Sequence, residues 1–167
     1  YEFDAEDLTR LRNFGVSADE AVAWKEAGFD CDASELTKFR SFGVKPEFGG
    51  AVRATLKDPA PDEIIKLKSF GITVPYLEKM RKAGADFSAD DLVHLRNFGV
   101  QPDYVAAWRN AGFEFGAKEI AKLRSFGVPT EYASAVGIPG RKPLSSDAII
   151  KLRQRGLSAE EIGELRE

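Results

Sequence analysis

The chain has 167 residues, of which 43% are hydrophobic and 31% are charged, and its formal net charge at pH 7 is −3. This apolar content is too high for an intrinsically disordered chain. No apolar run reaches the roughly 18 to 20 residues that cross a bilayer. The single cysteine, Cys31, excludes an internal disulfide framework, and the single histidine, His94, argues against a histidine metal site. The weak acidity gives no overall attraction to nucleic acids or membranes.

The dipeptide Phe-Gly recurs with a period of 28 residues, at Phe14-Gly15, Phe42-Gly43, Phe70-Gly71, Phe98-Gly99 and Phe126-Gly127. A sixth, degenerate copy, Arg155-Gly156, follows one residue late. A fixed period of this kind is typical of a stacked repeat array. The sequence therefore predicts an all-α fold, an α-solenoid (superhelical array) of six helix-turn-helix repeats of about 28 residues. The predicted repeats of this single array span residues 4–31, 32–59, 60–87, 88–115, 116–144 and 145–167.

The first half of each repeat carries the pattern of a short helix, with positions counted from the Phe as position 0. Positions −6 and −3 are apolar in all six copies, and with the Phe they are expected to form one buried face. Asp4, Asp32, Ser88 and Ser145 at position −10 are predicted N-caps, and acidic residues at position −7 complete capping boxes. The Gly at +1 is predicted to end the helix in the left-handed conformation, with the aliphatic residue at +2 packing on position −3.

The second half of each repeat is predicted to be another short helix. Its start and stop residues are Ser17, Thr73 and Ser158 as caps, Pro46 and Pro102 in the first turn, and Gly28, Gly84 and Gly112 at the end. Position +10 is apolar in every repeat. Helices of about ten residues are marginal on their own, so stacking of neighbouring repeats must stabilise them.

Cys31 occupies position −11, which precedes the cap and is predicted to pack on position −6 as a hydrophobic staple. A structural role is therefore favoured over a reactive thiol. At the beginning of the chain, Tyr1-Glu2-Phe3 matches Phe113-Glu114-Phe115. We therefore expect the chain to begin within an array and to belong to a longer protein with further repeats upstream.

Two columns of basic residues recur along the first helices. Position −2 holds Arg12, Arg40, Lys68, Arg96, Arg124 and Arg153, and position −4 holds Arg10, Lys38, Lys66, His94, Lys122 and Lys151. A ladder of cations can track a polyanion such as RNA or an acidic tail. Cations near a helix C-terminus also complement the macrodipole, and an acid at −7 can pair with −4, as Glu35 with Lys38. This role in helix capping and local ion pairing is favoured over polyanion binding.

Position +6 holds Phe48, Tyr76, Tyr104 and Tyr132 in the central repeats, and Glu20 and Glu161 in the terminal ones. An aromatic column can stack bases or grip a peptide. Tyrosine with its hydroxyl at the rim is also ordinary in protein cores, and core packing is the favoured interpretation. The two glutamates are expected to mark capping repeats that present a polar end.

The sequence predicts no catalytic, cofactor or metal site. Asp30-x-Asp32-x-Ser34 opens like a calcium loop, but Glu35 stands where the loop needs glycine. The chain has neither a phosphate-binding glycine loop nor a nucleophile elbow.

The strings Leu-Arg-x-Phe-Gly-Val and Tyr-x-x-x-Trp/Met-Arg-x-Ala-Gly, best seen in residues 91–113, carry a family resemblance. They resemble short helical repeats that accompany metallopeptidase-type antirepressor proteins of the bacterial beta-lactam sensor family. The resemblance covers essentially the whole chain and implies a bacterial interaction or sensing module. The peptidase motif His-Glu-x-x-His does not occur, so the resemblance carries over no catalytic residue.

The sequence thus predicts a non-enzymatic scaffold that binds a protein or peptide, or serves as a spacer or sensing module, without membrane insertion or a cofactor. The predicted contact residues are the exposed parts of Tyr76, Tyr104 and Tyr132, together with Arg53, Arg81 and Arg109 on the second helices. The alternative is sequence-nonspecific nucleic-acid or polyanion binding through the basic ladder. The partner's identity, the oligomeric state and the cellular location stay open.

Overall fold

A computed structural model describes residues 2–84 and 86–166, so Tyr1, used above in the match to Phe113, lies outside the described residues. Within them every regular element is an α-helix, and no strand occurs. The twelve helices are α1 (Ala5–Asn13), α2 (Ala18–Glu26), α3 (Ala33–Ser41), α4 (Pro46–Thr55), α5 (Pro61–Ser69), α6 (Val74–Lys82), α7 (Ala89–Asn97), α8 (Pro102–Asn110), α9 (Ala117–Ser125), α10 (Glu131–Val136), α11 (Ser146–Gln154) and α12 (Ala159–Arg166).

The chain folds as two compact units, Tyr1–Glu78 and Lys79–Glu167. In the first unit α1 packs on α3, α3 packs on α5, and α2 packs on α4. In the second unit α7, α9 and α11 pack in series, and so do α8, α10 and α12. Each of these contacts joins helices two places apart in the chain, so equivalent helices of successive repeats are neighbours within a unit. The predicted all-α repeat array is confirmed.

The helices begin as their cap residues predict. The Asp32 carboxylate accepts a hydrogen bond from the Glu35 N–H (2.8 Å), and the Glu35 carboxylate accepts one from the Asp32 N–H (3.0 Å). This reciprocal pair is a capping box, and Ser88 and Asp91 form another. The Glu119 carboxylate likewise accepts from the Gly116 N–H (3.0 Å), although glycine has no side chain to reciprocate.

The helices end at the predicted glycine turns. Gly43 has φ +63°, in the left-handed region that a Cβ disfavours. Its N–H donates to the Arg40 carbonyl (3.2 Å), and the Val44 N–H donates to the Phe39 carbonyl (2.8 Å). These two bonds define a Schellman motif, in which the residue after the glycine packs back on the helix. Val44 is accordingly buried, which confirms the role predicted for position +2.

The Phe at position 0 does not join the buried face, contrary to the prediction. The exposed fractions of these five side chains are 52% for Phe14, 56% for Phe42, 46% for Phe70, 48% for Phe98 and 47% for Phe126. Each is the C-cap residue, where the backbone has already left helical geometry; φ and ψ of Phe42 are −90° and 6°. The residue at +2 makes the contact with position −3, so the capping Phe is left at the surface.

The repeats are joined by core residues that contact the next repeat. The Trp24 ring, at position +10 of repeat 1, stacks on Phe39 of repeat 2 with centroids 4.2 Å apart and planes inclined by 16°. A Cβ on Gly49 would lie 2.3 Å from the Trp24 ring, so only glycine fits this position on α4. The helix–helix contact between repeats 1 and 2 is therefore built around one tryptophan.

Replacing Gly127 by alanine tests the helix stop. Gly127 has φ +64°, and an added Cβ would meet no atom within 4 Å, so backbone strain alone acts. We expect Gly127→Ala to lower the free energy of unfolding by about 1 kcal/mol. Gly163, inside α12, also has open space around it but no positive φ. Gly163→Ala should raise the free energy by about 0.5–1 kcal/mol, because alanine is the better helix former. Urea unfolding followed by circular dichroism measures both, and equal effects would contradict the proposed strain.

Candidate interaction surface

The three predicted contact tyrosines lie in the core. Tyr76, Tyr104 and Tyr132 are 6%, 5% and 1% exposed. The Tyr104 hydroxyl donates to the Val128 carbonyl (2.8 Å) at position +2 of the next repeat, and Tyr132 makes the equivalent bond to Leu157. Burial raises the pKa of Tyr104. The expectation of exposed tyrosines is therefore wrong, and the core-packing interpretation of this column is confirmed.

The three predicted contact arginines have different surroundings. The Arg53 guanidinium donates to the Gly28 carbonyl and lies 5.3 Å from the centroid of the Phe29 ring. Arg109 is half-buried, and its guanidinium donates to the Phe115 carbonyl (3.2 Å). Arg81 is exposed. Arg53 and Arg109 therefore donate hydrogen bonds to backbone carbonyls of neighbouring turns. Their role in partner binding stays a prediction.

Two of the cations at position −2 lie over the aromatic ring at position +6 of the preceding repeat. The Lys68 ammonium is 5.4 Å from the Phe48 centroid, and the Arg124 guanidinium is 5.7 Å from that of Tyr104. Between repeats 1 and 2 the same two positions hold Arg40 and Glu20, whose guanidinium and carboxylate approach to 3.4 Å. Glu20 is therefore an internal partner of Arg40, and the prediction that it marks a polar end is wrong.

Two cations at position −4 pair across repeats, whereas Arg10 pairs within its own repeat with Glu6 (3.7 Å). The Lys38 ammonium lies 3.6 Å from the Asp62 carboxylate, and that of Lys122 lies 2.5 Å from Asp147. Both acids occupy position −8 of the following repeat. The hydrogen bond from Lys122 holds the pKa of Asp147 below its ordinary value. The predicted pairing of Glu35 with Lys38 is wrong, because the capping box already uses that carboxylate.

The five half-exposed phenylalanines define what we call the Phe-Gly edge of each unit, with Phe14, Phe42 and Phe70 in the first unit and Phe98 and Phe126 in the second. Each ring follows the last turn of a first-half helix, and those helices are packed neighbours within a unit. At Phe98 the His94 ring lies against the Phe with centroids 4.7 Å apart. The adjoining turns are open, since a Cβ on Gly43, Gly71, Gly99 or Gly127 would touch nothing within 4 Å.

The cap itself does not require phenylalanine. The second helices α2 and α8 end in the same pattern of hydrogen bonds, and their C-cap residues are Ala27 and Ala111. A small side chain thus suffices, yet the first helices place a large apolar ring there five times. This contrast between the two halves of the repeat was present in the sequence. It is the signal that could have identified the Phe-Gly edge.

The remaining candidate chemistry is structural. Cys31 is buried, and its burial, together with the nearby carboxylates Glu35, Asp32 and Asp30, raises the pKa of the thiol to about 12. In the part of the chain that the structure describes, no His, Cys, Asp and Glu residues are grouped so as to hold a metal ion. None of the described helices has the length and apolarity needed to cross a membrane.

The sequence matches no protein-family model and no curated protein. The resemblance to repeats of the beta-lactam sensor family therefore stays a prediction.

Removing the Tyr104 hydroxyl tests its structural role. Tyr104→Phe should lower the free energy of unfolding by about 0.5–1.5 kcal/mol, because the Val128 carbonyl loses a buried donor. The matched variant is Phe48→Tyr, which adds a hydroxyl at the same position of repeat 2. It should be neutral or stabilising if the Ile72 carbonyl accepts the new bond. Thermal and urea unfolding measure both, and an unchanged stability of Tyr104→Phe would contradict this role.

Cys31 should be inert in the folded protein. A thiol pKa of about 12 leaves roughly one part in ten thousand as thiolate at pH 8, and the side chain is buried. We expect a chromogenic disulfide reagent to label Cys31 at pH 8 only after addition of urea. Rapid labelling of the native protein would contradict the burial.

Proposed function

We propose that the chain is a non-enzymatic binding module whose Phe-Gly edge receives a protein or peptide partner. The observation that carries the proposal is the repeated placement of a phenylalanine about half exposed at a cap that alanine fills equally well. A half-exposed ring buries only part of its apolar area, so it stabilises the fold less than a buried ring would. It does supply the large aromatic contact area that is enriched at protein interfaces. The edge is therefore the surface best suited to a partner.

The spacing of the edge defines what such a partner must present. Packed helices lie about 8–10 Å apart, so successive phenylalanines within a unit repeat at roughly that interval. An extended peptide in the polyproline II conformation returns to the same face every three residues and advances about 9 Å, and a helix advances about 10 Å in seven residues. A matching ligand therefore carries an apolar side chain at every third position when extended, or at every seventh when helical.

The charges beside the edge favour acidic residues between those apolar positions. Arg12, Arg40 and Lys68, two residues before each Phe of the first unit, are exposed. Two of them are already engaged with position +6 of a neighbouring repeat, Arg40 with Glu20 and Lys68 with the Phe48 ring. These cations therefore act mainly through their positive electrostatic potential and less as hydrogen-bond donors to a ligand. Such a potential attracts a weakly acidic peptide at long range.

Polyanion binding through the basic ladder has weaker support. Lys38, Lys122 and Arg40 are each paired with a carboxylate, so a nucleic acid would have to displace those carboxylates. Exposed aromatic rings beside cations can nevertheless stack bases, as in single-strand binding proteins. A steep loss of affinity with added salt would distinguish this mode from peptide binding.

A pair of substitutions on the edge tests the proposal. Phe42→Ser together with Phe70→Ser should weaken binding of labelled peptides that carry leucine at every third or seventh position, with glutamates between. We expect a loss of roughly tenfold or more, because two aromatic contacts disappear. Since each ring is already about half exposed, each change should lower the free energy of unfolding by only about 1 kcal/mol. Fluorescence polarisation at two salt concentrations measures the affinity.

The control is Leu165→Ser, which removes another exposed apolar side chain, one on the second-half helix α12. It should leave peptide affinity unchanged, and peptides with serine in place of leucine should not bind. A labelled single-stranded oligonucleotide tests the alternative in the same assay. If peptide affinity is unchanged by the double substitution but falls with Arg81→Glu, the contact lies on the second helices. That result would overturn the proposal that the Phe-Gly edge binds the peptide.

A further inference from the structure

His94 is the one member of the position −4 column that is neither lysine nor arginine. The other copies hold Arg10, Lys38, Lys66, Lys122 and Lys151. Its ring lies against Phe98, one turn further along, with centroids 4.7 Å apart and planes inclined by 50°. Phe98 belongs to the Phe-Gly edge of the second unit, and His94 is itself half-buried. An imidazole is therefore part of the aromatic surface at this edge.

The following repeat explains why the His94 side chain stays at the edge. At two other junctions the cation at position −4 reaches an acid at position −8 of the next repeat, Asp62 for Lys38 and Asp147 for Lys122. In repeat 5 position −8 is Lys118, on the helix α9 that packs against α7. A cation at position 94 would thus meet a like charge where its counterparts meet an acid. A neutral imidazole avoids that repulsion and lies against its own Phe.

The charged groups that face His94 come from α9 and from α7 itself. On α9, Lys118 lies opposite position 94 in the register of the other junctions, and Lys122, one turn further, is paired with the following repeat. On α7, Asp90 lies one turn before His94, whereas the Asp91 carboxylate belongs to the capping box. Position 94 is also in the last turn of α7, where a helix favours positive charge. Protonation of the ring would add one further charge to this group, directly beside the edge.

We infer that His94 makes peptide binding at the Phe-Gly edge of the second unit depend on pH. The inference rests on the function proposed above, in which a peptide with leucines and glutamates lies on the edge. Imidazole is the side chain that changes charge between pH 5 and 8. As the pH falls through this range, the neutral pair of rings gains a positive charge beside the bound glutamates, so the affinity of the second unit rises.

The first unit provides an internal comparison. Its position −4 residues are Arg10, Lys38 and Lys66, which keep their charge over the whole of this range. The affinity of the first unit for the same peptide should therefore not change with pH. The two units thus differ in their response to pH although both present half-exposed phenylalanines.

Two multiple variants separate the units. Phe14→Ser, Phe42→Ser and Phe70→Ser together leave the second edge intact, and Phe98→Ser with Phe126→Ser leaves the first. Fluorescence polarisation with the labelled peptides measures affinity at pH 8 and pH 6, where glutamate stays ionised. The triple variant should bind about three- to fivefold more tightly at pH 6, the effect of one partly exposed ion pair. The double variant should bind equally at both pH values, and circular dichroism checks that both are folded.

Substitutions at position 94 of the triple variant are the matched controls. His94→Gln is neutral at both pH values, so the affinity should stay at its pH 8 level. His94→Lys supplies the residue of four other repeats, is charged throughout, and should give the higher affinity at both pH values. A rise in affinity that persists in His94→Gln would assign the pH dependence to another group and would overturn the inference.

Proton NMR of the unliganded chain tests the geometry without a peptide. The chain has one histidine, so its imidazole resonances are unambiguous. The ring resonances of Phe98, identified by their loss in Phe98→Ser, should shift with the same midpoint as those of the imidazole, because the two rings are in contact. Phe98 resonances that do not follow the imidazole titration would contradict the inference.

The outcomes distinguish this inference from the function on which it rests. If the peptides bind neither edge at either pH, the proposed function is wrong and the inference falls with it. If they bind the second edge with the same affinity at pH 6 and pH 8, peptide binding stands and only the role of His94 is wrong.

Discussion

The shortness of the helices governs the rest of this structure. Most have nine residues, about two and a half turns, which is below the length at which an isolated helix is stable in water. Their stability must come from contacts with equivalent helices of neighbouring repeats, and those contacts are what the structure shows in each unit. A residue such as Leu36 is therefore buried by its neighbours in the array and not by its own helix. The same dependence explains why Leu8 and Leu165, in the terminal repeats, are exposed.

Features set by local backbone chemistry were predictable from the sequence. The caps at Asp32 and Ser88 and the left-handed glycines depend on residues within one turn, so their spacing in the chain is sufficient to identify them. The position of the Phe was mispredicted for a local reason as well. A helical wheel extends the apolar stripe to position 0, but Phe42 caps the helix with nonhelical torsions, and Val44 takes the core contact. The helix ends one residue before the Phe, so the helical periodicity no longer applies at position 0.

Features set by contacts between repeats were not predictable in the same way. The burial of Tyr104 depends on the Val128 carbonyl of the next repeat, 24 residues away. The sequence presents a recurring tyrosine, but it does not show which side of the helix the next repeat covers. The ion pairs illustrate competition between a local and a distant partner. The Asp32 N-cap that the Glu35 carboxylate completes contributes about 1 kcal/mol, whereas a surface pair of Glu35 with Lys38 would contribute about 0.3–0.5 kcal/mol. The cap therefore takes the carboxylate, and Lys38 pairs with Asp62.

Two sets of positions therefore have different roles. One set defines the fold of every repeat, and the other determines the contacts between a particular pair of neighbouring repeats. Glycine, the caps and the apolar positions recur in nearly every copy and define the unit. Positions −8 and +6 vary, and across a junction they meet the recurring cations of positions −4 and −2: Glu20 meets Arg40, the Phe48 ring meets Lys68, and the Tyr104 ring meets Arg124. Each junction therefore has its own chemistry although the backbone geometry repeats. Mismatched repeats would bring together like charges or leave an aromatic ring without its cation. Such pairs contribute little to stability one at a time, but they can specify which repeat packs beside which.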